Sequence, residues 1–213
     1  MRRETTLKII GLLRKELNRG LTILAISKRL DIGYRPAYNH ITELQKQGAI
    51  ITHTVGKARQ CLLNLENEMC RYFLQENDFK RKEALFKQQI KLRNVLENYI
   101  ARLTARFVSD IHSIILFGSY AKGTATKTSD IDVFFILSDI KNKPLRDAIE
   151  QEAASYQNSH NLKLSPLISD IHEFKKMLKS KELNVGKELR EYGIPLYGAE
   201  QFWRFIAWQE ETP

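Results

Sequence analysis

The chain has 213 residues, 43% of them hydrophobic, enough apolar mass for one large domain or two small ones without disulfides or metals to hold a core. No run approaches eighteen apolar residues and no apolar signal region follows Met1-Arg2-Arg3-Glu4, so a membrane span is excluded and a cytoplasmic location is expected. The formal charge of +9 is uneven: residues 1–66 hold 12 Lys+Arg against 5 Asp+Glu while the remaining 147 residues carry only +2, which points to an anionic partner, nucleic acid first, at that end.

From the beginning, "TTLKIIGLLRKEL" places apolar residues at 7, 9, 10, 12, 13 and 17, a helical stripe that Asn18-Arg19-Gly20 stops. "TILAISKRL" predicts a second short helix and Asp31-Ile32-Gly33 a turn. "YRPAYNHITELQKQG" predicts a third helix, with Pro36 in its first turn, an apolar face of Ala37, Ile41 and Leu44, and Gly48 at its end. "AIITHTV" and "QCLLNL" are β-like runs on either side of Gly56-Lys57-Ala58-Arg59. Helix, helix, turn, helix, hairpin resembles the winged helix-turn-helix domains of prokaryotic transcription regulators. The resemblance is architectural. It implies a third helix lying in the DNA major groove, presenting Tyr34, Arg35, Tyr38, Asn39, His40 and Thr42, with Lys57 and Arg59 meeting phosphates or the minor groove. The alternative is a winged helix that binds protein or only dimerises.

Cys61 and Cys70 lie nine apart with no matching Cys or His pair, which fits two reduced structural thiols and no zinc spacing. The five histidines do not cluster. Residues 67–109 read as a long connecting helix, since "FKRKEALFKQQIKLRNVLENYIARLTARF" has no Gly or Pro. Leu85, Leu92, Leu96, Tyr99 and Leu103 form an apolar seam along it. Packing on the downstream domain, or a helix-mediated homodimer suited to two DNA half-sites, would cover that seam.

Residues 110–213 alternate strands and helices. "SIILFG" and "DVFFIL" are strands, "PLRDAIEQEAASYQNS" a helix, "LKLSPLIS" a short strand, and "DIHEFKKMLKS" and "LNVGKELREYG" helices. The first strand delivers the chain to Gly118-Ser119, where a short helix is expected to begin. A glycine there lets backbone approach phosphate oxygens, with the Ser119 hydroxyl and the Lys122 charge as further donors; Ser129, closing the polar loop after Gly123, is counted with them. Asp130 and Asp132, two residues apart at the head of a strand, project from one face, while Ile131, Val133 and Phe135 point into the core. Paired carboxylates repel unless a cation lies between them, and magnesium, completing its shell with water and phosphate, suits them.

"LFGSYAKGTATKTSDIDVFFIL" resembles the signature of the nucleotidyltransferase superfamily related to DNA polymerase beta, and most of all its small bacterial and archaeal members, the minimal nucleotidyltransferases among them. The resemblance implies a mixed, mostly antiparallel sheet with helices on one side. It implies transfer of a nucleoside monophosphate from a nucleoside triphosphate to a hydroxyl, with Gly118 and Ser119 on the triphosphate and Asp130 and Asp132 as catalytic ligands of magnesium. The acceptor is left open among a protein side chain, an RNA end and a small molecule; some minimal nucleotidyltransferases modify a toxin partner, and a protein acceptor here would be a separate polypeptide. Active members usually carry a third carboxylate on a later strand; here that strand offers Lys163 and Ser165, with Asp170 just beyond it. The tail, "EFKKMLKSKELNVGKELREYGIPLYGAEQF", also resembles one seen in the superfamily, and Tyr197 and Trp203 are expected to pack on the sheet. The sequence therefore predicts a two-domain α+β or α/β protein, winged helix at 1–66 and nucleotidyltransferase fold at 110–213. The alternative function is a DNA-binding regulator whose second domain is a weakly catalytic nucleotide sensor or dimerisation module.

Overall fold

A computed structural model describes residues 3–56, 58–160 and 162–208. They fall into two compact units, Met1–Asp78 and Phe79–Pro213. In the first, helix α1 (Arg3–Lys15) buries Leu7, Ile9, Ile10 and Leu13. A two-residue strand β1 (Leu21–Thr22), absent from the sequence reading, leads into helix α2 (Ile23–Leu30), which the Thr22 hydroxyl caps by accepting from the Ala25 amide at 3.1 Å. Helix α3 (Tyr34–Lys46) tolerates Pro36 because a first-turn N–H has no intrahelical partner, and it buries Ala37, Ile41 and Leu44. Strands β2 (Ile50–Val55) and β3 (Ala58–Leu63) form an antiparallel hairpin, and β1 adds to β3 to give the order β1-β3-β2.

The interior of this unit also holds a charge pair, Arg14 with Asp78, each side chain only 2% exposed. Cys61 and Cys70 are buried free thiols, and burial pushes the Cys61 thiol up to about 11. That disposition matches the structural role expected of them.

The long connecting helix is two helices, α4 (Glu68–Gln88) and α5 (Ile90–Phe107). Gln89 leaves helical geometry at φ −132° and ψ 71°, and neither glycine nor proline marks the place. Cys70, Phe73 and Leu74 of α4 bury in the first unit, whereas the α5 seam of Leu92, Leu96, Tyr99 and Leu103 is consumed by the core of the second. That seam is therefore covered by the protein's own sheet, the first of the two options the sequence left open.

The second unit is built on strands β4 (Ile111–Leu116), β5 (Ile131–Leu137), β6 (Leu164–Asp170) and β7 (Ile194–Tyr197) in the order β6-β5-β4-β7. Only β5 and β6 run parallel; both other pairings are antiparallel. Helix α7 (Lys143–His160) joins α5 on one face, where Leu145 and Ile149 meet Ile131, Val133 and Phe135. Burial raises the Tyr99 phenol, whose hydroxyl donates to the Ile149 carbonyl at 3.0 Å.

The other face is covered as well. Phe134 lies 5.9 Å, centroid to centroid, from Phe174 of helix α8 (Ile171–Lys179), and Phe174 lies 6.0 Å from Phe202 of helix α10 (Ala199–Ala207). Helices on one side only, as the resemblance implied, is thus not the arrangement. The reason is in β5 itself: Val133 through Leu137 is apolar at every position, so both faces must be shielded from water. Trp203 is fully buried on α10, and Tyr197 packs against the first face's core. Among the described residues no helix is long and apolar enough to cross a membrane.

Candidate functional site

The end of β4 and the head of β5 are tied by the Phe117 amide, which donates to the Asp132 carbonyl at 3.0 Å. The chain then turns into a short helix α6 (Gly118–Lys122), closed by Gly123 in left-handed geometry at φ 75°. Gly118 is required twice over. Its φ is +66°, and a Cβ built on it would stand 2.0 Å from Asp132 Oδ2. The backbone turn and the half-buried carboxylate are therefore in direct contact.

Around this contact the predicted residues converge. The Ser119 hydroxyl is enclosed and has no hydrogen-bond partner among the described residues. Lys122 pairs with Glu188 of helix α9 (Val185–Tyr192) at 2.9 Å, and the Gly118 amide donates to the same Glu188 Oε1 at 3.2 Å. Ser129 acts locally: its hydroxyl accepts from the Thr126 amide at 2.9 Å and pins the loop before Asp130.

Asp130 and Asp132 differ in electrostatic setting. Lys163 donates to Asp130 Oδ2, and Ser165 donates to the same oxygen at 3.3 Å. The Lys163 hydrogen bond is the main reason the Asp130 carboxyl is held below its ordinary range. Asp132 is raised, first by burial and then by the negative charges of Asp130 and Glu188, against partial relief from Lys163 and Lys122. Lys163 and Ser165 do face the carboxylate pair, and Ser165 is the register partner of Asp132.

Asp170 does not reach it. It pairs with Leu137, five residues up the parallel strands, about 17 Å at the usual strand rise. Its carboxylate accepts from the Glu173 amide at 2.8 Å as the N-cap of α8. Among the described residues no group of three or more His, Cys, Asp or Glu is placed to hold a metal ion. Magnesium does not need three: one or two carboxylates with water and substrate phosphates suffice. The Asp132 carboxyl, raised by burial and then by the negative charges of Asp130 and Glu188, and in contact with the Gly118 turn, fits such a cation.

Glu188 is the participant the sequence reading missed. Its partners lie about seventy residues upstream, and nothing in the spacing of "VGKELREY" points to them.

In the first unit, Arg35, Tyr38 and Asn39 are exposed on α3, and the rings of Tyr34 and Tyr38 stack at 6.5 Å. His40 is half-buried; burial pushes its imidazole below the ordinary range, and its Nδ1 has no partner among the described residues. Thr42, expected on the exposed side, has its hydroxyl buried. Pro36, Asn39, His40, Glu43 and Gln47 line a cavity of about 630 Å³. Arg59 is exposed on β3, and Lys57 lies outside the described residues.

A family model described as a nucleotidyltransferase domain matches residues 96–192. "Putative protein adenylyltransferase MJ1305" of Methanocaldococcus jannaschii is 31% identical over 119 residues, 53% of this chain and 76% of that one. "Putative protein adenylyltransferase MJ0141" of the same organism is 23% identical over 105 residues, 49% of this chain and 98% of that one. Two solved structures are also similar. A toxin–antitoxin with AMP-PNP has 21% identity and TM-score 0.37, covering 53% of this chain and 82% of that one. A mutant of the toxin–antitoxin MntA–HpeT has 16% identity and TM-score 0.34, covering 54% and 86%.

Proposed function

The chain belongs to the nucleotidyltransferase family, and on that premise we propose that it moves a nucleoside monophosphate from a nucleoside triphosphate to a hydroxyl on a separate protein. The names of its two relatives favour ATP as donor and a protein as acceptor. The observation that carries the reading is the contact between the Gly118 turn and the Asp132 carboxylate, with Asp130 on the same strand face.

In this reading Gly118, Ser119 and Lys122 hold and orient the triphosphate, and Asp130 and Asp132 hold magnesium. The ion supplies neutralising charge to the phosphates when bound. The acceptor oxygen attacks the α-phosphorus, the bond from that phosphorus to the bridging oxygen breaks, and pyrophosphate leaves. The hydroxyl proton passes to water, since β6 offers Lys163 and Ser165 where the family usually places a carboxylate. That same pair is the observation favouring the competing reading, a regulator whose second unit only senses nucleotide.

The first unit we read as a winged helix that brings the transferase to DNA. Its support is the +7 charge of residues 1–66 and the exposure of Arg35, Tyr38, Asn39 and Arg59. The deciding test is incubation with magnesium and α-labelled nucleoside triphosphates, alone and with the product of a neighbouring gene. Label should appear on protein and disappear in Asp130→Ala and Asp132→Ala. Transfer that survives both substitutions rejects the site.

A further inference from the structure

The two groups best placed to receive a polyphosphate already hold an anion, and it belongs to the chain. One carboxylate oxygen, Glu188 Oε1, accepts from the Gly118 amide at 3.2 Å and pairs with Lys122 Nζ at 2.9 Å. We propose that Glu188 is a built-in competitor of the triphosphate, occupying the amide and the ammonium that the phosphates need and so setting nucleotide affinity. The inference rests on the nucleotide-binding reading above.

The contact is a fixed feature of the fold. Helix α9 is anchored at its start by Asn184, whose side chain accepts from the Lys187 amide at 3.2 Å. At its end, the Arg81 guanidinium donates to the Tyr192 carbonyl at 2.6 Å and the Gly193 carbonyl at 3.0 Å, and reaches the Ala121 carbonyl of α6 at 3.5 Å. One guanidinium thus holds the end of α9 against the end of α6. Gly193 lets the end of α9 pack on β4, the strand that leads into α6, since a Cβ there would stand 2.9 Å from Ile115 Cγ2. Tyr192, one turn after Glu188, lies with its ring 5.7 Å from Lys122 Nζ. Lys122 is therefore flanked by α9 on both counts, and a phosphate must either share its charge with Glu188 or displace it.

The carboxylate can leave. Its side chain is 28% exposed and Lys122's is 37% exposed, so rotation into water strands no buried charge. Two hydrogen-bonded charge contacts of this exposure are individually weak, which sets the scale of the competition at about threefold to tenfold in affinity.

The test is calorimetric titration of the full chain with ATP, inorganic tripolyphosphate and adenosine, each with excess magnesium. It compares the wild type with Glu188→Gln and Glu188→Ala. Removing the charge should tighten ATP and tripolyphosphate by about threefold to tenfold and leave adenosine unchanged. Damage to α9 would weaken all three, so the expected sign separates competition from a structural role. Equal or weaker ATP binding in both variants, with a wild type that binds, overturns the proposal and leaves the nucleotide reading standing. Tightening that extends equally to adenosine overturns it too, because a rearranged pocket would then be responsible. No binding to any of the three proteins overturns the nucleotide reading itself and this inference with it.

Discussion

Replacing Gly118 by alanine probes the site at its tightest point. The first penalty is conformational: φ at 118 is +66°, and an L-residue there costs about 1–2 kcal/mol. The second is steric. Ordinary contact begins near 3.4 Å and the new Cβ would stand 2.0 Å from Asp132 Oδ2, so the carboxylate oxygen must retreat by about 1.4 Å. The Asp132 Cβ is itself only 3.1 Å away, so pivoting the carboxylate alone leaves that second contact tight. A displacement near 1 Å of a group that positions the reacting atoms is worth about 100-fold in rate.

Gly123→Ala supplies the matched control. Its φ is +75°, and nothing lies within 4 Å of the added Cβ. That variant should carry the conformational penalty alone, a loss of about 2–4 °C in Tm for each kcal/mol, with transfer within about twofold of wild type. Gly118→Ala should lose more stability than Gly123→Ala and fall about 100-fold in label transfer from α-labelled nucleotide. Equal melting temperatures and equal transfer in the two variants would mean that Asp132 does not press on the turn, and the site geometry would be wrong.

Asp132→Asn should raise Tm near neutral pH while abolishing transfer. The Asp132 carboxyl is raised above its unfolded value, so folding is helped by its proton below the unfolded range and that help is lost as pH rises through the folded one. The Tm gain of the variant should accordingly widen as pH increases from the acid side, and a pH-independent gain would contradict the assignment. Lys163→Met should let the Asp130 carboxyl climb toward its ordinary range, read by carbon-13 NMR of the side chain. In the first unit, Asp78→Ala removes the carboxylate paired with the buried Arg14 and should cost about 3–5 kcal/mol in chemical denaturation, whereas the paired change Arg14→Met with Asp78→Leu should recover most of it. DNA binding, measured over a salt series, should lose about one unit of log–log slope for each phosphate-contacting residue among Arg35, Lys57 and Arg59 changed to alanine, and an unchanged slope in the triple variant removes the proposed face.

Local chemistry made much of this molecule legible. The stripes of α1 and α3, the alternation of Asp130 and Asp132 against Ile131 and Val133, and the glycine turn at 118 all follow from residue type and period. What the sequence hid is what neighbours decide. Gln89 breaks a helix with no local breaker, and Phe86 before it and Leu92 after it bury in the same core. β1 is two residues long and exists only as a partner for β3. Asp170, by contrast, was readable: Asp170-Ile171-His172-Glu173 has the spacing of a helix N-cap, and the structure uses it so.

The site shows the same division in a form that bears on function. Sequence counts two acids at Asp130 and Asp132 and finds no third on the strand beside them. The folded chain balances three carboxylates against two ammonium groups, Asp130 with Lys163 and Glu188 with Lys122, and leaves Asp132 between them without an ion-pair partner within 4.0 Å among the described residues. The chain's own cations thus satisfy the outer two acids and leave the central one raised by burial and like charge. On the proposed function, a divalent cation arriving with a polyphosphate would meet this arrangement at both points, the cation supplying Asp132 with the positive charge it lacks and the polyphosphate offering Lys122 an anion in place of Glu188. The two exchanges should therefore be coupled, with magnesium improving ATP binding more in the wild type than in Asp132→Asn; calorimetry that finds the same magnesium dependence in both proteins would break that link.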